Sequence, residues 1–262
     1  MTEKITGKNI RYGMLSIVLL LLAHATAYLT HEYSHSLMAW SLGWMAHPFG
    51  IYYGHPTLGN FLFLGEVSDN VNYPPIFASG HGMAAAAIAL SGPFIGNGLL
   101  YFIVYGLTKR TIARLPRAGL LFAYWLSLMC AANVWSYVPL RAITTHADIA
   151  LAAKGLHLSP LELFPFLILP SLYVVYHFFE RMFPLCQKKI VQGSGNDFIF
   201  LVTLTAYWFF SFFSGSASDG SYGPVSQILG IVSHYVLVPF CAMYLVCRYF
   251  PRTRPDDVAP AP

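Results

Sequence analysis

Apolar residues are concentrated in six long stretches of the chain, separated by short polar connections. The stretches are residues 14–42, 83–107, 119–138, 161–183, 198–213 and 225–246. A helix needs about 20 mainly apolar residues to cross the hydrocarbon core of a bilayer, and most of these stretches reach that length. The pattern therefore predicts an all-α polytopic membrane protein with about six transmembrane helices. The first helix is long enough to tilt or to project from the bilayer.

Composition supports this class. The chain is 56% hydrophobic and 10% charged, whereas a soluble domain has about 25% charged residues. Lysine and arginine are concentrated before the first stretch, in the second-to-third and fourth-to-fifth connections, and in the tail, while residues 47–82 and 214–224 have none. The positive-inside rule then predicts that both termini are cytoplasmic, and we expect a multi-pass protein of a bacterial cytoplasmic membrane. The net charge of +4 follows from this bias and does not suggest a nucleic-acid partner.

The chain is predicted to form one membrane domain over residues 1–252, because it has no internal repeat and no long linker. Its core would cover residues 14–151 and its accessory helices residues 161–247, followed by a disordered Pro-rich tail at 253–262. The connection at 47–82 contains two segments of β-type composition with turn signals between them, which predicts a short β-hairpin or re-entrant loop. An irregular loop is the alternative.

The most informative motif is His31-Glu32-Tyr33-Ser34-His35, which lies inside the first apolar stretch. Two histidines four residues apart lie on one face of a helix and can bind one zinc ion, and Glu32 between them can act as general base toward a metal-bound water. Ionisable residues inside a span are costly and usually serve a function. The alternative is a pair of hydrogen-bonded core histidines with Glu32 bonded to one of them. The motif predicts a zinc hydrolase that works within the bilayer.

A catalytic zinc ion usually has three protein ligands, so a third must come from another segment. With the amino terminus inside, the motif lies in the outer half of the first span, and the outer end of the third span returns to that depth. There Asp148 is the best candidate for the third ligand and His146 the second. The alternative role of Asp148 is a solvated loop acid or a helix cap. The four cysteines have no C-x-x-C spacing and predict neither a disulfide framework nor a thiolate site.

Three segments together resemble the site-2 proteases, a family of intramembrane zinc metalloproteases. The segment His31-Glu-Tyr-Ser-His35-Ser-Leu-Met-Ala39-Trp-Ser-Leu-Gly43 is similar to the family's H-E-x-x-H-x-x-x-A-x-x-x-G signature. Ser91-Gly-Pro-Phe-Ile-Gly-Asn97 resembles its Gly-Pro motif, and Asn133 with Pro139 resembles the residues that precede its aspartate ligand. Where the family has Leu-Asp-Gly, this chain has His146-Ala-Asp148.

The resemblance implies a three-helix catalytic core, a Zn²⁺ cofactor and a membrane-protein substrate. It assigns Glu32 as the catalytic base and His31, His35 and Asp148 as metal ligands, while the argument from depth keeps His146 as the alternative third ligand. Asn133 would bind the substrate or the oxyanion, or else hydrogen-bond two helices together. Three glycines of the second span would allow either close helix packing or close approach of substrate: Gly92, Gly96 and Gly98. His24, two turns before His31, is either a proton relay or a buried hydrogen-bonded histidine.

Two other classes of function fit parts of this pattern. The first is a non-proteolytic membrane metalloenzyme, such as a lipid-modifying hydrolase or a His-box oxygenase. An oxygenase needs several His-rich boxes, and this chain has one His cluster. The second is a transporter or scaffold whose zinc site is structural or lost. Oligomeric state does not follow from the sequence.

Overall fold

A computed structural model describes residues 4–251, and in this part of the chain it contains helices and no β-strand. Six helices are long and apolar enough to cross a membrane, which confirms the predicted all-α polytopic fold. Three short helices lie in the connections. The predicted disordered tail at 253–262 lies outside the described residues. In chain order the helices are α1 Gly7–Ser41, α2 Leu58–Phe63, α3 Tyr73–Ala78, α4 Gly82–Thr111, α5 Arg117–Leu140, α6 Ala147–Gly155, α7 Pro160–Val191, α8 Gly195–Ser218 and α9 Pro224–Tyr249.

Two of the long helices begin before their apolar stretches, at polar caps. α7 begins at Pro160, where Ser159 and Glu162 form a capping box, and α8 begins after Ser194, whose side chain accepts a hydrogen bond from the Asp197 backbone N–H. Such caps satisfy the free N–H groups of the first helical turn. Hydropathy therefore locates the membrane-crossing part of each helix, and the capping residues set its ends.

α5 is the central helix of the bundle. It buries 72% of its most apolar 18-residue window, against 22–56% for the other five long helices. Its large side chains Tyr124, Trp125 and Leu128 are fully buried among residues of α1, α7 and α8. α5 therefore packs against several helices at once.

α6 lies directly on the first turns of α4. A Cβ atom added to Gly155 would lie 2.3 Å from the carbonyl oxygen of Gly82, and one added to Gly82 would lie 2.4 Å from the carbonyl oxygen of Gly155. The two backbones are thus in contact, and Ile149 and Ala152 of α6 pack into the apolar cluster that includes Ala85 of α4. This contact fixes the first turn of α6, which carries Asp148.

The connection between α1 and α4 does not form the β-hairpin that was one of its predicted alternatives. The two segments share a single antiparallel bridge between Tyr52 and Ser68, and residues 58–63 are helical. The reason is the buried Asn60 side chain. Its amide nitrogen donates to the carbonyl oxygens of Tyr53 (2.8 Å) and His55 (3.0 Å), and its oxygen accepts from the Glu66 N–H (3.0 Å). These three bonds replace the pairing that a hairpin needs.

Side chains on one face of α1 donate hydrogen bonds to carbonyl oxygens of the same connection. His24 Nε2 donates to Phe63 (3.0 Å) and Tyr28 Oη to Val67 (3.3 Å). Ser36 Oγ lies 3.1 Å from the carbonyl oxygen of Asp69. The connection therefore covers the face of α1 that carries the His-Glu-x-x-His motif.

The Gly155→Ala substitution should destabilise the protein, because the new Cβ would overlap a backbone atom that cannot move aside. Overpacking of this kind costs about 1–3 kcal/mol, so we expect a lower Tm in detergent. The matched control is Gly106→Ala in α4, where an added Cβ meets nothing within 4 Å and alanine favours the helix. An equal Tm for the two variants would contradict the backbone contact between α4 and α6.

Candidate metal centre

Three side chains that could bind a metal ion converge in the structure, two from α1 and one from α6. The Nε2 atoms of His31 and His35 lie 3.1 Å apart, and Oδ2 of Asp148 lies 3.4 Å from the first and 3.3 Å from the second. The histidines are 2% and 1% exposed. The structure thus brings together the two helix-borne imidazoles and the carboxylate that the sequence ranked first as third ligand.

The other nitrogen of each imidazole fixes the direction of its lone pair. His35 Nδ1 lies 2.7 Å from the carbonyl oxygen of Ile88, which can only accept, so Nδ1 carries the proton. His31 Nδ1 donates to Oδ1 of Asn97 at 2.8 Å, and the Asn97 amide is held in this orientation because its nitrogen donates to the Ala27 carbonyl oxygen. Both Nε2 atoms therefore present lone pairs toward each other, an arrangement that a shared cation stabilises.

The spacing of the three atoms fits a tetrahedral metal ion. Ligands about 2.0–2.1 Å from a tetrahedral ion are about 3.3–3.4 Å from each other, which is close to the three distances observed here. Asp148 Oδ2 is buried and has no hydrogen-bond partner among residues 4–251. Two imidazoles and an ionised carboxylate suit zinc and other first-row transition metals.

Gly92 of α4 leaves the space that the imidazoles occupy. A Cβ atom on Gly92 would lie 2.2 Å from His35 Nε2 and 2.7 Å from His31 Nε2. Gly96 allows close packing of α4 on α1, since its added Cβ would lie 2.6 Å from the Thr30 carbonyl oxygen. Gly98 makes no comparable approach, because its nearest contact would be at an ordinary 3.5 Å. The three glycines of the motif therefore have different roles.

A cavity of about 290 Å³ adjoins His31 and is also lined by Glu32 and Asn133. Glu32 is 8% exposed, so its carboxylate is largely shielded from solvent but reachable from the cavity. The Asn133 side-chain oxygen is buried and has no hydrogen-bond partner within the described part of the chain. Water or a substrate group in this cavity can thus meet a carboxylate and an amide beside the metal-binding group.

Two histidines named by the sequence lie outside the metal-binding group. His146, the alternative third ligand, stacks on the ring of Tyr222 with centroids 4.6 Å apart, and its Nδ1 faces Thr144 Oγ1. His24 lines the cavity and donates through Nε2 to the Phe63 carbonyl oxygen, while its Nδ1 is buried with no partner among the residues that the structure describes.

Sequence reasoning missed three residues that support the site. Asn97 orients His31, Tyr137 stacks on the His31 ring with centroids 4.8 Å apart, and the Arg141 guanidinium carbon lies 4.1 Å from the centre of the Tyr137 ring. Asn97 could have been found as a lone amide within an apolar stretch. Tyr137 and Arg141 gave no such signal, because an aromatic residue and an arginine are common at the end of a span.

The Gly92→Ala substitution should abolish stable metal binding, since its Cβ would displace the two Nε2 atoms. We expect purified Gly92→Ala protein to contain far less metal than wild type, as measured by elemental analysis. Gly98→Ala, six residues along the same helix, should retain wild-type metal content because its Cβ makes only ordinary contacts. Equal metal content in both variants would show that Gly92 does not border the ion.

Asp148→Ala should weaken metal binding by at least about 100-fold, since even a group that only supports a ligand contributes about 10–100-fold. His146→Ala should leave the affinity near that of wild type, because that ring stacks on Tyr222. Competition with a chelating dye measures both affinities. The reverse order of effects would make His146 the ligand.

Comparison with protein-family models, with curated proteins and with solved structures finds no match to this chain. The function must therefore be argued from the site itself.

Proposed function

We propose that this protein is an intramembrane zinc metalloprotease of the site-2 protease kind, which hydrolyses peptide bonds in or near transmembrane segments of other membrane proteins. The observation that carries the proposal is the convergence of His31, His35 and Asp148, with donor atoms 3.1–3.4 Å apart, beside a cavity lined by Glu32. This group lies in a bundle of six helices apolar enough to span a membrane.

The number of donors favours a catalytic ion over a structural one. Within residues 4–251, three His, Cys, Asp or Glu side chains approach one another closely enough to share an ion. Structural zinc sites usually have four protein ligands, whereas catalytic sites have three and keep one position open. The adjoining cavity provides access to such a position. These features support an enzyme over a transporter or scaffold with a structural zinc ion.

Bound zinc would supply Lewis acidity, which polarises a peptide carbonyl and makes water acidic enough to react near neutral pH. Glu32 would accept the proton of the attacking water and then deliver it to the leaving amine. The Asn133 amide would donate to a substrate carbonyl, while its unpartnered oxygen would accept from a substrate N–H. A helical substrate keeps these groups in internal hydrogen bonds, so the segment to be cut would have to unwind locally.

The resemblance of three segments to site-2 proteases favours peptide hydrolysis over lipid hydrolysis. Each segment contributes to one site in the structure: the motif on α1, Gly92 and Asn97 on α4, and Asn133 on α5. We further propose a bacterial cytoplasmic membrane with both termini cytoplasmic, on the basis of the lysine and arginine distribution. In that orientation the metal centre lies toward the outer face.

Glu32→Gln should abolish proteolysis and keep zinc. We expect cleavage of candidate membrane proteins in proteoliposomes to fall by about 10²–10⁴-fold, the usual contribution of a general base. Gel analysis measures the cleavage, and elemental analysis measures the zinc. Glu66→Gln is the matched control, because Glu66 lies in the exposed connection and bonds His55.

Two results would overturn the proposal. One is equal cleavage by wild type and Glu32→Gln, which would exclude Glu32 as the base. The other is wild-type protein that binds no metal when zinc is supplied.

A further inference from the structure

Arg141 lines the same cavity as His31 and Glu32, and the surrounding structure holds its guanidinium in place. The guanidinium lies over the rings of Tyr137 and Tyr222, with its carbon 4.1 Å and 5.3 Å from their centroids. Its Nε donates to the Ser136 carbonyl oxygen (3.2 Å) and its Nη2 to Ser136 Oγ (2.8 Å). The side chain is therefore preorganised at the cavity wall.

This cation has no carboxylate partner in the described part of the chain. The ion pairs there within 4.0 Å join other groups. Arg117, a comparable arginine at the start of α5, is paired with Asp197 at 2.7 Å. Arg141 uses three of its five N–H donors, one of them in a 3.4 Å contact to the Tyr222 hydroxyl. A partly buried guanidinium that has free donors, and no carboxylate within 4.0 Å in the described residues, is suited to bind an anionic group of a ligand.

We propose that Arg141 binds a carboxylate of the substrate, either its chain-terminal carboxylate or an Asp or Glu side chain. This inference rests on the proposed function and narrows its substrate class. A planar guanidinium and a carboxylate form paired hydrogen bonds, which is why arginine is favoured for this recognition. A peptide segment, unlike the surrounding lipid tails, brings such a group together with the N–H and C=O groups that Asn133 can bind.

The stacking of Arg141 on Tyr137 and of Tyr137 on His31 sets the distance to the metal centre. The guanidinium carbon lies at most about 9 Å from the centre of the His31 ring. An extended chain advances about 3.4 Å per residue. If Arg141 binds a substrate carboxylate, the peptide bond that lies at His31 and Glu32 is therefore about two or three residues along the substrate from that carboxylate.

The test measures binding to the full-length, zinc-loaded Glu32→Gln protein in detergent, so that no probe is consumed. The probes are fluorescent apolar peptides of one sequence: one with a free terminal carboxylate, one with a terminal amide, and one with a terminal amide and an internal glutamate. Short-chain phosphatidylglycerol is the competing anion. The comparison adds Arg141→Gln and Arg141→Lys, with Arg114→Gln as control because Arg114 is exposed and outside the cavity.

We expect at least one carboxylate peptide to bind about 10–100-fold more tightly than the amide peptide, the range expected for hydrogen bonds to a charged group. Which carboxylate peptide binds better identifies the source of the carboxylate. The preference should vanish in Arg141→Gln, be partly kept in Arg141→Lys and be unchanged in Arg114→Gln. Because each value is a ratio between two peptides on one protein, partial loss of folded protein cancels.

Equal binding of all peptides overturns the inference, as does a preference that survives Arg141→Gln. Phosphatidylglycerol that binds through Arg141 and excludes both carboxylate peptides also overturns it, in favour of a lipid phosphate. The outcome is separable from that of the proposed function. A carboxylate preference without any cleavage by wild type supports the role of Arg141 and contradicts the proposed protease function. Cleavage without a carboxylate preference supports the protease function and contradicts the role of Arg141.

Discussion

The convergence of two imidazole nitrogens and one carboxylate oxygen at one buried point is the constraint on which the arrangement of α1, α4 and α6 depends. Each donor comes at a desolvation cost, which is recovered only if every polar atom finds a partner. The Nδ1 atoms find theirs in Asn97 and in the Ile88 carbonyl oxygen, both on α4. The remaining atoms, two Nε2 and Asp148 Oδ2, face one another.

This convergence requires the backbones of α1, α4 and α6 to approach one another closely, and glycine residues allow the close approach at each contact. Gly92 and Gly96 bring α4 against α1, and the pair Gly82 and Gly155 brings α6 against α4. An ordinary side chain at these positions would separate the helices by more than the imidazole–carboxylate spacing allows. Small residues are the usual means of close packing between membrane helices, and here they also set the distance between metal-binding side chains on different segments.

The sequence predicted those features that depend on local periodicity and hydropathy. Six apolar stretches located the six long helices, and the i, i+4 spacing placed His31 and His35 on one face. Asp148 was predicted as the third ligand from its depth in the membrane, because the third span returns to the level of the His31–His35 motif. Features that depend on contacts between distant segments were missed. The role of Asn60 in replacing a hairpin and the stacking of Arg141, Tyr137 and His31 depend on tertiary neighbours that periodicity does not encode.

The cavity wall shows that the accessory helices take part in the site. Phe212, Phe213 and Ser216 of α8 line the cavity opposite residues of α1 and α5, and Phe212 packs edge-on against His24. The connection after α1 closes another side through Phe63 and Gly65. It is held in place by neutral hydrogen bonds, each with a net contribution of about 1 kcal/mol, and by buried apolar residues such as Val67 and Ile76. The metal centre and the base thus stand on well-packed helices, and the cavity beside them is enclosed jointly by α8 and by the connection after α1.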